Sequence, residues 1–112
     1  METLTQRPPV IREIDRNALV IRLERNQKDL LQLKSQLNSY RCEPKTHMLF
    51  EYIENLKNGM ERLRISNLEI IGGLRQQRKA ISDLIERAKL QLLKFNQLKE
   101  GVADYLARCM NH

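Results

Sequence analysis

Residues 70–81 read IIGGLRQQRKAI, and the glycine pair in this stretch decides between two helical architectures. The pair Gly72-Gly73 costs about 2 kcal/mol relative to two alanines in a helix interior. The heptad spacing of apolar residues nevertheless stays in phase from Ile70 to Leu74 and on to the end of the stretch. No proline and no Ser, Asp or Asn cap directly follows the pair to begin another helix. We therefore expect one continuous or merely kinked helix here.

The alternative is a turn at Gly72-Gly73. Helices over 10–41, 46–71 and 75–110 would then have similar lengths and could close as a three-helix bundle. If the helix is continuous instead, the first helix is too short to cover it, and its far end lacks a partner within the chain. An exposed apolar stripe of that length is unusual in a monomer. The continuous architecture therefore implies a partner helix.

The rest of the chain has the pattern of helices that meet along apolar stripes. Aromatic residues make up only 4% of the sequence, and no alternating run typical of a β-strand is present. Apolar residues recur at steps of three and four from Leu19 to Tyr40, which is the spacing of a coiled-coil seam. An earlier stripe, which ends at Ile21, is offset from this seam by one residue. We predict an all-α fold.

Pro44 marks the clearest break in the chain. It cannot continue the preceding helix, and it disfavours helical geometry at Glu43. Thr46 is suited to cap the next helix, because its hydroxyl can accept from an unpaired backbone N–H. A connection this short predicts an antiparallel helical hairpin. The predicted organisation is an extended lead-in over 1–9 and a single helical, coiled-coil domain over 10–112, with a helix over 10–41, a loop over 42–46 and a long helix over 47–110 that extends as coiled coil.

Two kinds of residue interrupt the apolar seams. Asn26 and Asn67 stand at seam positions. At a seam position Asn26 would cost stability but could fix the register of the helices, although a position of Asn26 at a solvent-reachable edge is equally consistent. Gly59 and Gly73 occupy the same heptad position beside the seam. Small residues there would let another helix approach closely, and the simpler interpretation is that both are surface glycines.

The chain is basic, and much of its charge lies between residues 75 and 99. A formal net charge of +6 favours acidic partners. The basic stretch could contact an acidic helix or an acidic filament, while a solvated face without a special role is the simpler interpretation. Proteins that bind nucleic acid usually add stacking aromatic residues or a recognisable motif. Neither is present, so we do not expect nucleic-acid binding.

No pattern that would carry catalysis is visible. The serines have no nucleophile context, and no paired carboxylates share an apolar face. Cys42, His47, Cys109 and His112 could meet only in the three-helix bundle, and their spacing is unlike that of a standard zinc finger. A disulfide between the two cysteines would also need the bundle. We therefore predict no enzymatic activity, no metal site and no cofactor.

The sequence thus predicts a non-enzymatic coiled-coil subunit (a scaffold, adaptor or tether) of a hetero-oligomeric intracellular complex, as in trafficking, cytoskeletal or chromosome-segregation machinery. Its C-terminal half would bind partner helices. The predicted partner-binding residues are Ile81, Leu84, Leu92, Phe95, Leu98 and Val102, with Arg75, Arg78 and Lys79 for orientation. The alternatives are a basic three-helix bundle that binds nucleic acid and a homodimeric spacer. Without a signal-peptide pattern or a run of roughly 20 apolar residues, we expect a cytoplasmic protein with no transmembrane segment.

Overall fold

The computed structural model describes residues 9–39, 42–76 and 81–110, and these residues form helices and no strands. The helices are α1 (Pro9–Leu37), α2 (His47–Gln76) and α3 (Ile81–Met110). Each helix packs against the other two, and the principal extents of the molecule are 61, 27 and 17 Å. The predicted all-α fold is confirmed, and its architecture is a three-helix bundle.

The first helix is shorter at its C-terminus than predicted. Helix α1 begins at Pro9, which suits a first turn because its missing N–H would have no partner there. It ends at Leu37 and not at residue 41, because the polar residues that follow favour turns over helix. The Cys42 amide donates to the Ser39 carbonyl at 2.9 Å. The two residues between these partners lie outside the described part of the chain.

The second helix begins where its cap predicts. The Thr46 Oγ1 accepts from the Leu49 amide at 3.1 Å, and helix α2 starts at His47. The helix then runs through Gly72-Gly73 and ends at Gln76. The glycine pair is therefore helical, as its unbroken heptad phase predicts, and the turn does not lie there.

The prediction of one long helix over 47–110 is wrong. The Tyr105 hydroxyl donates to the Cys42 carbonyl at 2.7 Å, whereas a continuous helix would hold these residues about 90 Å apart. The chain instead changes direction between Gln76 and Ile81, where the connecting residues lie outside the described ones. The three-helix alternative is the right architecture, although its turn comes later than the glycine pair. The extent of the single domain stays a prediction.

Among the described side chains, the bundle interior forms two apolar clusters, one toward each end. The first cluster, at the end with the α1–α2 connection, is built around Leu30, Leu33, Leu37, Cys42, Leu49, Ile53, Leu56, Met60, Leu63, Phe95, Val102, Tyr105 and Cys109. The second cluster, at the opposite end, is built around Leu19, Val20, Leu23, Ile70, Ile71, Leu74 and Ala88. The predicted heptad seams supply most members of both clusters.

Helices α2 and α3 approach closely at Gly101 of α3 and at two glycines of α2. A Cβ atom on Gly73 would lie 3.0 Å from Leu84 Cδ1, and one on Gly59 would lie 3.1 Å from Leu98 Cδ2. Both distances are shorter than an ordinary van der Waals contact, so the glycines make room for leucines of the facing helix. The close approach proposed for this heptad position is present, and the approaching helix belongs to the same chain.

Candidate functional site

A polar layer crosses the bundle between the two apolar clusters. It consists of one amide side chain from each helix: Gln27 of α1, Asn67 of α2 and Gln91 of α3. The Gln91 Nε2 donates to Asn67 Oδ1 at 2.8 Å, and the Asn67 Nδ2 donates to Gln27 Oε1 at 2.9 Å. The Gln27 Nε2 then donates to the Arg64 carbonyl at 3.1 Å. Asn67 is 1% exposed and Gln91 is 5% exposed, so the layer is shielded from water at α2 and α3, whereas Gln27 of α1 is half-buried.

This layer fixes how the three helices stand against one another. A buried amide without its partner costs more than an apolar residue in the same place. Because each helix supplies one member, sliding or rotating a helix would break hydrogen bonds of the layer, and the bond between Asn67 and Gln91 is buried from water. Asn67 stands at a seam position and is buried. Asn26 and its neighbour Gln27 are both half-buried, and Gln27 supplies the amide of α1. The layer is a structural element, because its amides are bonded to one another.

The end of the bundle near Pro44 is closed by buried hydrogen bonds. Tyr105 has no exposed surface, and its hydroxyl binds the carbonyl of Cys42 in the α1–α2 connection. Burial, with a smaller effect of the Cys109 thiol, raises the pKa of Tyr105 to about 12. The Cys109 Sγ lies 3.7 Å from the Glu43 carbonyl. These bonds attach the connection to the last turns of α3.

Tyr52 continues this closure to the surface. Its ring meets the Tyr105 ring edge to face, with 5.7 Å between centroids. Its hydroxyl lies 2.8 Å from the Asp104 carboxylate and 3.2 Å from the Gly101 carbonyl. Burial, followed by the hydrogen bond with Asp104, raises the pKa of Tyr52. The guanidinium of Arg108, which is also on α3, binds Asp104 at 3.1 Å. A polar chain from Tyr52 of α2 through Asp104 to Arg108 of α3 therefore joins the two helices at this end.

The four residues considered as zinc ligands are not brought together as a set. Cys42 and Cys109 both lie in the first cluster. The His47 ring lies on the surface, where its Nε2 is 3.1 Å from the Glu51 carboxylate, and His112 lies outside the described residues. Across residues 9–39, 42–76 and 81–110, no three His, Cys, Asp or Glu side chains are grouped to hold a metal ion.

The apolar residues predicted to bind a partner helix pack into the bundle of this chain wherever their side chains are described. Phe95 and Val102 are buried in the first cluster, and Leu98 packs against it. Leu84 and Leu92 pack against the second cluster. Ile81 begins helix α3, and its side chain lies outside the described residues. The apolar stripe of α3 is thus covered by α1 and α2.

The cations predicted to orient the partner are divided between the surface and undescribed residues. The Arg75 guanidinium hydrogen-bonds to the Glu24 carboxylate and so bridges α2 and α1. Arg78 and Lys79 lie outside the described part of the chain. Within the same basic stretch, the Arg87 guanidinium lies 3.3 Å from the Glu69 carboxylate. Part of the basic stretch therefore connects helices of the bundle.

An exposed groove lies between α1 and α2 over the second cluster. Its apolar surface comes from Ile21 and Leu68, which are 56% and 54% exposed, and from the buried Ile71 beneath them. The groove has a volume of about 660 Å³. A second depression of about 400 Å³ continues it toward the start of α1 and shares Ile21, Glu24 and Arg75 with it. We call the two together the α1–α2 groove.

Basic side chains form most of the rim of the α1–α2 groove. Arg25, Lys28 and Arg75 line the first depression, and Arg16 lines the second. Glu24 is the acidic residue of this lining, and it is bonded to Arg75. The groove thus combines exposed aliphatic surface with an excess of positive charge, which is a composition suited to a partner with apolar and acidic groups.

The surface outside the α1–α2 groove has another cleft and further exposed apolar side chains. A cleft of about 440 Å³ between α2 and α3 is lined by Arg62, Ser66, Lys94 and other residues. Further exposed apolar side chains include Leu31, Met48, Phe50, Ile65, Leu90, Leu93 and Met110. Exposed apolar residues are common on folded proteins and by themselves indicate no function.

Comparisons of the chain with protein-family models, with curated proteins and with solved structures find no match. In the described part of the chain, no helix has the length and hydropathy required to cross a membrane.

Proposed function

We propose that this chain is a non-enzymatic subunit of an intracellular hetero-oligomeric complex, in which it serves as a scaffold, adaptor or tether. The observation that carries the proposal is the α1–α2 groove, where Ile21 and Leu68 expose more than half of their surfaces. Apolar side chains gathered in a groove with a polar rim are typical of protein-binding surfaces.

The rigid bundle beneath the groove supports this role. The polar layer of Gln27, Asn67 and Gln91 holds the helices in one register. The bridge from Arg75 to Glu24 joins the two walls of the groove. Because the walls are already positioned, a partner would not have to order them, and preorganisation of this kind favours affinity.

The proposed binding surface differs from the one predicted from the sequence. Phe95 and Val102 are buried against α1 and α2, so binding through the α3 stripe would require the bundle to open. The apolar side chains of the α1–α2 groove are exposed in the closed bundle, so binding there does not require the bundle to open. We therefore place the interaction on α1 and α2.

The test is capture of partners from native extract with the whole chain as bait, with chemical cross-linking and mass spectrometry. We expect at least one protein in stoichiometric amount that remains after nuclease treatment. Loss of all captured material after nuclease treatment would support the nucleic-acid alternative. A chain that is recovered only with itself would support the homodimeric spacer, and light scattering of the purified chain would then show a dimer.

A further inference from the structure

We infer that the α1–α2 groove binds an acidic amphipathic helix of another protein. This inference rests on the proposed interaction function and adds the site, the shape and the charge of the partner. Three observations carry it: the length of the groove, the apolar side chains along it and the charge of its rim.

The length of the groove fits a helix. Along α1 the lining extends from Arg16 to Lys28, which is about 18 Å at 1.5 Å per residue. That span accommodates about three turns of a helix laid between α1 and α2. An added β-strand needs a sheet edge to pair with, and the described residues contain no strand.

The apolar side chains are placed to receive one face of such a helix. Ile21 projects from α1 and Leu68 from α2, so the two exposed residues stand on opposite walls. The buried Ile71 and Leu74 lie along the groove beneath them. Partner residues at i, i+3, i+4 and i+7 would pack between the walls, as in other helix-in-groove complexes.

The rim selects an acidic partner. Arg16, Arg25 and Lys28 add to Arg75, whereas the carboxylate of Glu24 is already bonded to Arg75. A helix with Asp or Glu on the flank that faces α1 would therefore meet the positive charge of Arg16, Arg25 and Lys28. Complementary charge of this kind speeds association and excludes partners of like charge.

The same charge argues against a second copy of this chain as the occupant. The chain has a formal net charge of +6. Two copies joined groove to groove would place their basic rims against each other, and like charges in such an interface are unfavourable. The partner is therefore a different protein.

The test uses a synthetic helical peptide of about three turns, with leucines at i, i+3, i+4 and i+7 and glutamates on both flanks. A second peptide has the same leucines and lysine flanks. Binding is measured by fluorescence anisotropy, and amide chemical shifts locate the bound peptide. We expect the glutamate peptide to bind at the groove and to weaken as salt is added. Failure of the glutamate peptide to bind, or equal binding of the two peptides, would overturn the inference.

Matched variants of the chain test the location. Leu68→Asp should weaken binding of the glutamate peptide by about tenfold or more, because it removes apolar contact and adds a repelling charge. Leu93→Asp is the control, since Leu93 is also 54% exposed but lies on α3, away from the groove. Circular dichroism confirms that both variants remain folded. An unchanged affinity for Leu68→Asp, or an equal loss for both variants, would contradict the placement.

Charge reversal tests the selection. The double variant Arg25→Glu with Lys28→Glu should reverse the preference, so that the lysine peptide binds more tightly than the glutamate peptide. An unchanged preference would show that the rim does not select the partner.

Capture from extract with the same variants separates the inference from the proposed function. A natural partner that is lost with Leu68→Asp and kept with Leu93→Asp supports both. A partner that Leu68→Asp still captures refutes the groove and leaves the interaction function standing. If neither the wild-type chain nor the variants capture a protein, the proposed function itself fails.

Discussion

The two ends of the bundle are built differently. At the first cluster, aromatic side chains and buried hydrogen bonds close the interior, and the Tyr105 hydroxyl attaches the α1–α2 connection to α3. At the second cluster the buried side chains are aliphatic, and the α1–α2 groove lies over them with Ile21 and Leu68 exposed. The polar layer separates the two ends. The comparison indicates a division of labour in which one end anchors the fold and the other presents a surface.

The largest expected effect comes from deleting the central side chain of the anchoring end. Tyr105→Ala should lower the free energy of unfolding by about 4 kcal/mol, because it removes a fully buried aromatic ring and leaves the Cys42 carbonyl without its donor. Leu74→Ala, at a fully buried position in the second cluster, should cost about 3 kcal/mol. Urea denaturation measures both. A larger loss for Leu74→Ala would contradict the assignment of the anchor to the first cluster.

The polar layer should respond in opposite ways to single and to complete replacement. Asn67→Leu should cost about 2 kcal/mol, because Gln27 and Gln91 lose their buried partner. Replacing all three amides by leucine should be close to neutral or stabilising. We expect the triple variant to lose the single register, which would broaden its amide NMR spectrum.

Loss of the single register in the triple variant would show that the polar layer determines which arrangement of the helices forms. A triple variant with a sharp spectrum and native chemical shifts would instead show that apolar packing alone sets the register. The same urea experiment gives the stability of both variants.

A smaller effect separates the two adjacent glycines. A Cβ on Gly72 would meet no atom within 4 Å, so Gly72→Ala should stabilise the protein by up to about 1 kcal/mol. A Cβ on Gly73 would lie 3.0 Å from Leu84 Cδ1. Gly73→Ala should therefore stabilise the protein less than Gly72→Ala or not at all, because the Leu84 side chain must move away from the added methyl group. Thermal melts measure the difference, and an equal gain at both positions would show that α3 yields at no cost.

A further effect is confined to alkaline pH. The folded-state pKa of Tyr105 is raised to about 12 from an ordinary value near 10. Its stabilising contribution is therefore complete below pH 10 and is lost as the pH rises toward 12, where the unfolded state releases the proton first. The variant Tyr105→Phe has no ionisable group at this position, so it should lose less stability than the wild-type chain at alkaline pH. The loss that comes from ionisation of Tyr52 should remain. Denaturation midpoints between pH 9 and 12 would measure this, and identical profiles would refute the shift.

The sequence predicted the local elements well, for identifiable reasons. A proline has no backbone N–H to donate, so Pro44 interrupts a helix whatever the surrounding structure. The Thr46 hydroxyl caps the helix that follows. The buried amide of α2, Asn67, stands at a seam position, although the sequence led us to expect the register role of Asn26. Gln27 and Gln91 were missed, because a glutamine looks like a solvated residue until a partner amide stands opposite it. Gln91 nevertheless lies three residues after Ala88 and four before Phe95, so it continues the seam.

The candidate site was predicted only in part. Arg75 was singled out for its charge, and it does lie on the rim of the groove. Ile21 was noticed as the end of a stripe offset from the main seam, and that offset is the sequence signal of its exposure. Leu68 gave no signal, because an exposed leucine next to a seam is distinguished only by what lies beside it.

The error over α2 and α3 shows where such reasoning ends. Heptad phase continues from Leu74 into α3 although the chain changes direction between Gln76 and Ile81. Phase records which residues of a helix need a partner, and it is the same whether the partner helix comes from another molecule or from the next segment of this chain.

By itself the sequence therefore determined that the chain is helical, where the first break falls and which residues are apolar along each helix. These properties depend on local backbone chemistry and on a period of three to four residues. Only the tertiary structure decided that α3 folds back onto the hairpin, that three amides meet in one layer and that the exposed apolar surface lies between α1 and α2. Those features depend on contacts between residues far apart in the sequence, and periodicity within one helix does not contain them.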